Sequence, residues 1–428
     1  MNAPTLLREG RCPGALAPMR TGDGLLVRLR VSGRPLSLDR AEAIADCAAR
    51  FGNGVIEISS RANPQLRGVR EDVLPDLQRR LDDLGLLDAD AADEAVRNIV
   101  ASPITDIDPD ATVDVLPIVI GLEARLAADR SLRGLPAKFG FLIDGGGALP
   151  LGDVEADIRL EAFRAEDGPR FVVALAGGDD AIAVCAPREA AGVAASLAAT
   201  FLRAAGTRGD APRRMRELTV ARGAASILRA AGLTPAPAPS APRRAAAHRD
   251  FLGRHACGGL FFVGAAPLLG RMTAEDLRFL TLEARRGSGA DIRITPWRAL
   301  IVTGLERGGA EDVAAALARR FIVAAADPRL AVIACSGAPA CARAARAVQA
   351  EALEFASALP PGEGIALHVS GCEKGCAHRR AAPYTLVARP SGYDLVVNGA
   401  AGGEPLRRGL SAGEIAPLLA HMQGRPWP

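Results

Sequence analysis

Four of the eight cysteines in this 428-residue chain fall into two close pairs, Cys335-x5-Cys341 and Cys372-x3-Cys376, inside the small-residue strings CSGAPAC and HVSGCEKGCAH. Thiolates are soft ligands, and four of them gathered by glycine-rich turns can hold an iron–sulfur cluster, which makes one-electron transfer the first chemistry to consider. Two other readings stand beside it. A structural zinc site usually draws on tighter C-x2-C knuckles, whereas Gly337, Gly371 and Gly375 leave room for a bulkier inorganic core and let backbone N–H groups approach sulfur. Buried cysteines also serve as small hydrophobes. That is the reading for Cys47 and Cys185, which lie in apolar helix-like or strand-like patterns; Cys12 and Cys257 have no ligand spacing either.

The basic residues carry a second signal. Of 52 Lys and Arg, only Lys138 and Lys374 are lysines, and both sit in strings of interest, LPAKFG and SGCEKGC. A GC-rich genome explains the arginine excess; a need for a compact ammonium explains the two exceptions. A net charge of +3 with twelve Phe, two Trp and two Tyr argues against nucleic acid as a partner. No apolar run approaches a membrane span, and MNAPTLLREGRCPG lacks the apolar stretch of a secretory signal. The expectation is a cytoplasmic protein with no membrane partner, in which clustered cysteines serve metal or redox chemistry.

A repeat reveals the elements that position these residues. Residues 24–66 lie without a gap on residues 260–302, and both read strand, loop, helix, strand. The first helix is expected to start near Ser37 to Asp39, the second at Thr273 with Asp276 in its first turn. A second pair of segments follows each copy. RNIVASP, the helical VDVLPIVIGLEARLAADR and the strand KFGFLID ending at Gly145-Gly146-Gly147 match LAVIACSGAPAC, the helical CARAARAVQAEALEFASAL and IALHVSG ending at Cys372. A strand–helix–strand unit sets its strands parallel, which predicts Cys335 and Cys372 at one carboxyl edge and Cys341 at the start of the crossover helix. Between the halves, TPAPAPSAP reads as a stiff, solvated connector.

CSGAPAC with SGCEKGC resembles the cluster signature of the sulfite and nitrite reductase superfamily, whose members repeat a ferredoxin-like half and a larger α/β half. Within it, EISSRANPQLRGV, RNIVASPITDID, LPAKFGFLIDGGG, RITPWRALIV and HVSGCEKGCAH resemble the precorrin-3B synthase family. The resemblance implies an α+β fold with duplicated sulfite/nitrite reductase-like architecture, two ferredoxin-like modules and two larger α/β modules related by pseudo-twofold symmetry. It divides the chain into 17–88, 93–232 without a cluster, a Pro/Ala-rich linker at 233–250, 251–310, and 328–428 carrying the cluster. A basic cleft is expected where the halves meet.

The resemblance also implies an activity. Members of that family hydroxylate precorrin-3A with dioxygen at ring position 20 and close a lactone with the ring-A acetate, using a 4Fe-4S cluster and a mononuclear non-haem iron. Cys335, Cys341, Cys372 and Cys376 would hold the cluster; in the reductases the counterpart of Cys376 bridges to the macrocycle iron. Arg61, Asn63, Arg67, Arg97 and Lys138 would bind the anionic macrocycle, with Arg28, Arg30 and Arg70 on neighbouring strands and loops. Non-haem iron usually takes two histidines and a carboxylate; of His248, His255, His368, His378 and His421, His368 and His378 flank the cluster string and are the candidate second-iron ligands. GDGLL and GGG lack a dinucleotide fingerprint, so electrons are expected from a separate reductase or ferredoxin with NAD(P)H as ultimate donor. The alternative is a sirohaem-dependent sulfite or nitrite reductase. Gly140 stands where that group carries a second lysine, which weakens its hold on a small anion.

Overall fold

A computed structural model describes residues 12–178, 180–206, 211–237, 249–359 and 364–421. Each half opens on an antiparallel sheet. Strands Met19–Thr21, Gly24–Arg28, Pro64–Val69 and Val55–Ile58 lie side by side in that order, as do Gly253–Cys257, Leu260–Ala265, Leu300–Leu305 and Asp291–Ile294. The register repeats with the sequence. Val27 faces Leu66 as Val263 faces Val302, and each sheet carries an irregularity at the same place, between Leu25 and Val27 and between Phe261 and Val263.

One helix covers each sheet. Leu38–Phe51 starts at Ser37, whose side chain accepts from Arg40 N, and Ala274–Arg286 starts at a capping box between Thr273 and Asp276. Such caps satisfy amides that the first helical turn leaves free and contribute about 1 kcal/mol each. The residues just before each cap cross to the other sheet. Leu36 and Ser37 pair with Ile292 and Asp291, while Met272 and Thr273 pair with Ile56 and Val55. The exchange merges the two modules into one core in which Leu36, Ile44, Ile56, Met272, Leu280 and Ile292 are all buried.

The larger modules are also alike. Ile99–Ala101, Phe141–Asp144 and Ile158–Ala165 run parallel, and Gly168–Leu175 and Ala181–Cys185 continue antiparallel. Val332–Ala334, Leu367–Ser370 and Ala382–Arg389 repeat the parallel set, followed by antiparallel Gly392–Gly399 and Arg407–Leu410. Each has its own apolar core. The duplicated α+β architecture inferred from the sequence is therefore the one observed.

Two local expectations change. The Ala- and Arg-rich run after Cys341 forms a helix only over Gln349–Ala356. Upstream, Ala338 N donates to Arg346 O at 2.8 Å and Ala345 N to Gly371 O at 2.9 Å, so tertiary hydrogen bonds hold this backbone against the strand ends despite its helix propensity. In the connector, exposed Ala236–Pro237 extends the first α/β sheet by pairing with Ile182 and Ala181, while residues 238–248 lie outside the described ones. No helix among the described residues is long and apolar enough to cross a membrane.

The shared core predicts that Leu280→Ala, at a fully buried site, destabilises both ferredoxin-like sheets together by about 2–5 kcal/mol. Hydrogen exchange should rise equally in Val55–Ile58 and Asp291–Ile294; loss of protection in the second alone would mean separate cores.

Candidate functional site

Parallel pairing of Val332–Ala334 with Leu367–Ser370 delivers Cys335 and Cys372 to one sheet edge. Cys335 is held from three sides. Its N–H donates to Val369 O at 3.2 Å, its carbonyl accepts from Gln349 Nε2 at 2.8 Å, and its Sγ accepts from Gly371 N at 3.1 Å. Cys341 lies in a turn, its N–H donating to Gly337 O at 2.7 Å, not at a helix start. Burial pushes the Cys335 thiol up; amides of Gly371 and Gly337 oppose this, and Cys341 and Cys372 lie close enough to raise it further. Cys376 is exposed and follows Gly375, whose φ is +59°.

This setting fits a cluster. A Cβ on Gly371 would stand 2.7 Å from Ala344 Cβ and 3.2 Å from Cys335 Sγ, so only glycine lets this backbone reach the sulfur. Among the described residues no three His, Cys, Asp or Glu side chains are arranged to share one ion. Amide donors to sulfur, such as Gly371 N to Cys335 Sγ, are a feature of cluster sites.

The first half holds the same turn without the thiols. Gly145 N donates to Ser102 Oγ at 3.0 Å as Gly371 N does to Cys335 Sγ. Asp108 N donates to Ile104 O at 2.9 Å, and Thr112 N to Gly145 O at 2.9 Å, matching Cys341 to Gly337 and Ala345 to Gly371. Ser102, Asp108 and Gly146 thus occupy the places of Cys335, Cys341 and Cys372. The Asp108 carboxylate is satisfied locally by Ala148 N at 2.6 Å and Asp110 N at 2.9 Å.

His368 is fully buried and neither ring nitrogen has a partner among the described residues. Burial and the neighbouring His378 hold its pKa down at about 4. The two rings lie 5.8 Å apart, edge to face, and among the described residues no carboxylate completes a set with them. His255 stacks on Phe262, and His421 is exposed at the end of the helix Ala412–His421; His248 lies outside the described residues.

The basic residues divide into those held by carboxylates and those left short of partners. Arg97 lines a cavity of about 520 Å3 with Arg34, Asp88 and Glu123, and its guanidinium donates to Asp88 at 2.7 Å and Glu123 at 2.9 Å. Arg67, expected at the substrate, is 3% exposed and lies between Asp23 and Glu57. Arg70 sits at the surface with Asp72. Asn63 is buried, its Oδ1 accepting from Val31 N at 3.1 Å, so its side-chain oxygen braces the loop.

Arg61 Nη2 donates to Lys138 O at 2.8 Å, joining the first sheet to the α/β module beside exposed Lys138. Arg28 and Arg30 come from the adjoining strand and loop. Burial, with repulsion from Arg30 and Arg61 only partly offset by Cys12, pushes Arg28 down to about 10. Burial likewise lowers Arg30 and Arg61. The five buried side-chain nitrogen and oxygen atoms that lack a partner among the described residues are Arg30 Nε, Arg61 Nη1, Arg97 Nε and both His368 nitrogens. Gly140 N donates to Asp157 Oδ2 at 2.9 Å, so the position without a lysine serves the backbone.

The internal repeat exposes one residue that was not singled out. Ala62 and Arg298 occupy matching left-handed turns, with φ of 54° and 58°. Arg298 stands beside Glu57, and burial holds its pKa down. Its signal in the sequence is the alignment of SSRA on TPWR.

Residues 17–84 and 254–320 match the nitrite/sulfite reductase ferredoxin-like half domain. A precorrin-3B synthase of Sinorhizobium sp is 35% identical over 406 residues, covering 93% of this chain and 85% of that protein. A ferredoxin–nitrite reductase of Synechococcus elongatus is 26% identical, with the same coverage of 93% and 85%. The solved structure of the Mycobacterium tuberculosis NirA protein superimposes with a TM-score of 0.73 and 20% identity, over 92% of this chain and 79% of that one.

The glycine cradle predicts that Gly371→Ala purifies with most of its iron and acid-labile sulfide lost and its far-ultraviolet circular dichroism unchanged. Full retention of both would contradict the cradle.

Proposed function

The chain belongs to the precorrin-3B synthase family, and from that premise we propose that it is an oxygen-dependent monooxygenase of cobalamin biosynthesis acting on precorrin-3A. One atom of dioxygen enters the macrocycle as a hydroxyl at position 20, and a lactone closes with the ring-A acetate. The other leaves as water, taking up two external electrons and two protons. A 4Fe-4S cluster on Cys335, Cys341, Cys372 and Cys376 supplies single-electron transfer when bound. The electrons come from a separate reductase or ferredoxin, with NAD(P)H as ultimate donor.

The observation that carries this reading is the set of buried guanidinium nitrogens left without partners on Arg30, Arg61 and Arg97. An unsatisfied buried donor costs about 1–3 kcal/mol. A ligand fringed with acetate and propionate groups supplies acceptors for such donors through charge-assisted hydrogen bonds. In this reading Arg28, Arg30, Arg61 and Lys138 bind those carboxylates, while Asn63 braces the loop that presents Arg61. The carboxylates Asp88 and Glu123 fix the Arg97 guanidinium, leaving its Nε without a partner among the described residues. For the mononuclear iron that the family implies, the described residues offer the imidazoles of His368 and His378 but no adjoining carboxylate. That set is incomplete, and no step is assigned through it.

Four measurements test the reading. Holoprotein given precorrin-3A, an electron source and isotopically heavy dioxygen should yield a product carrying one heavy oxygen; an unlabelled product overturns the monooxygenase assignment. Its visible spectrum should lack sirohaem bands, whose presence would favour the reductase alternative. Cys372→Ser should lose cluster and turnover together. Lys138→Ala should weaken precorrin-3A binding by roughly tenfold, as loss of one charge-assisted hydrogen bond does, with iron and sulfide unchanged. Unaltered affinity would remove Lys138 from the site.

A further inference from the structure

We propose that Arg67 is a positioning residue for the iron–sulfur cluster, an inter-module clamp that fixes the cluster loop and tunes its reduction potential, and not a ligand for the macrocycle. The inference rests on the cluster assignment above. Every nitrogen of the Arg67 guanidinium is engaged. Nε donates to Asp23 Oδ2 at 3.0 Å; Nη1 donates to Glu57 Oε2 at 3.2 Å and Ser336 Oγ at 3.3 Å; Nη2 donates to Asp23 Oδ1 at 2.8 Å and Ala340 O at 3.0 Å.

Ser336 and Ala340 lie between Cys335 and Cys341, so this one side chain grips the loop that spans two of the four thiols. Two further bonds tighten the grip. Ser336 Oγ donates to Glu57 Oε1 at 3.2 Å, and Gly22 N donates to Ala340 O at 3.1 Å. No donor remains for a substrate carboxylate.

The duplicated half supplies an internal comparison. There Arg293 holds the thiol-free loop, donating to Pro103 O at 3.1 Å and to Asp106 at 2.7 and 2.8 Å, with Asp291 alongside. Pro103 in that turn matches Ser336, yet Arg293 stands on the strand that corresponds to Glu57's, not Arg67's. Both halves therefore place a buried arginine on this loop, from different strands. A loop anchor is common to the two. In both halves that guanidinium meets two carboxylates, Asp23 and Glu57 here and Asp291 and Asp106 there; what is particular to the cluster half is that this charge sits against a loop carrying thiols.

Cluster potentials respond to nearby charge and to the hydrogen bonds around the sulfurs. Removing a cation beside the cluster disfavours the reduced, more negative form; removing an anion favours it. Arg67 also belongs to the strand Pro64–Val69, whose Gln65 accepts from Arg28 at 2.9 Å and which leads out of the Arg61–Asn63 loop. One strand thus runs from the basic wall to the cluster loop.

The test uses iron-replete full-length protein, with EPR-monitored redox titration of the parent, Arg67→Gln and Asp23→Asn, and precorrin-3A binding measured alongside. Arg67→Gln should shift the midpoint to lower potential and Asp23→Asn to higher potential, each with macrocycle affinity within twofold of the parent. Should Arg67→Gln fail to retain iron, Asp23→Asn still decides by its upward shift. Unshifted midpoints in iron-replete variants, or a large loss of macrocycle affinity without a shift, would overturn the proposal. Absence of iron and sulfide in the parent would instead overturn the cluster assignment.

Discussion

The architecture depends on the exchange of two short edge strands between the ferredoxin-like sheets. Leu36–Ser37 and Arg271–Thr273 each leave their own module just before a helix cap and pair with the other sheet. Unpaired sheet edges invite wrong partners, and here each module closes an edge of the other. Because both crossings use equivalent residues, the contact is symmetric, and each cap fixes a helix at the point of exchange. Leu38–Phe51 and Ala274–Arg286 then pack over a common core. The ion pairs between them, Arg285 with Asp39 and Glu42 and Arg278 with Asp46, are exposed and add little to what that core supplies. With this centre fixed, the hairpin tip at Gly22 meets Ala340 of the cluster loop, and the tip at Gly258 meets Ile107 of its thiol-free counterpart.

Much of this plan was legible because alternating and helical patterns recur between residues 24–66 and 260–302, and because strand–helix–strand order constrains handedness. The exchange itself was not. A strand of two or three residues leaves no periodicity, and its partner lies in the other half of the chain. The kinship of the two loops was hidden for a different reason. Ser102, Asp108 and Gly146 share no chemistry with Cys335, Cys341 and Cys372; what the loops share is a set of backbone hydrogen bonds. The run after Cys341 misled in the opposite direction, since alanines and arginines favour a helix while the bonds to Gly371 and Ala338 are invisible to local propensity.

The site shows a similar division. Cysteine spacing and the strand ends located the loop that carries Cys335 and Cys341 at the edge shared with Cys372, since thiol chemistry is written in residue type and separation. Arginine roles were harder to read because a guanidinium is defined by what opposes it. Arg97 meets Glu123 and Arg67 meets Asp23 through folding, and nothing in RNIVASP or QLRG announces those carboxylates. Arg61 and Arg97 nevertheless keep a bare nitrogen each, whereas Arg67 keeps none. Identical residue types on neighbouring strands thus divide into those that lack an acceptor and one that is already saturated.

That contrast bears on why the wall has not been neutralised. A buried guanidinium is readily stabilised by one well-placed carboxylate, as Arg293 is by Asp106 and Asp291. Around Arg28, Arg30 and Arg61 such partners are sparse: Arg28 turns to the neutral amide of Gln65, and Arg30 to that of Asn98. Neutral amides satisfy some N–H groups while leaving the positive charge only partly compensated, by Glu94 at Arg30 and Asp157 at Arg61. An interior acid there would stabilise the empty protein but compete with an anionic ligand for the same donors. Functional sites commonly keep such locally unfavourable arrangements because the rest of the fold is stable enough to hold them. On the proposed function, the amide partners preserve a preorganised cationic surface, with the loop of Cys335 and Cys341 held by its own separate set of charges.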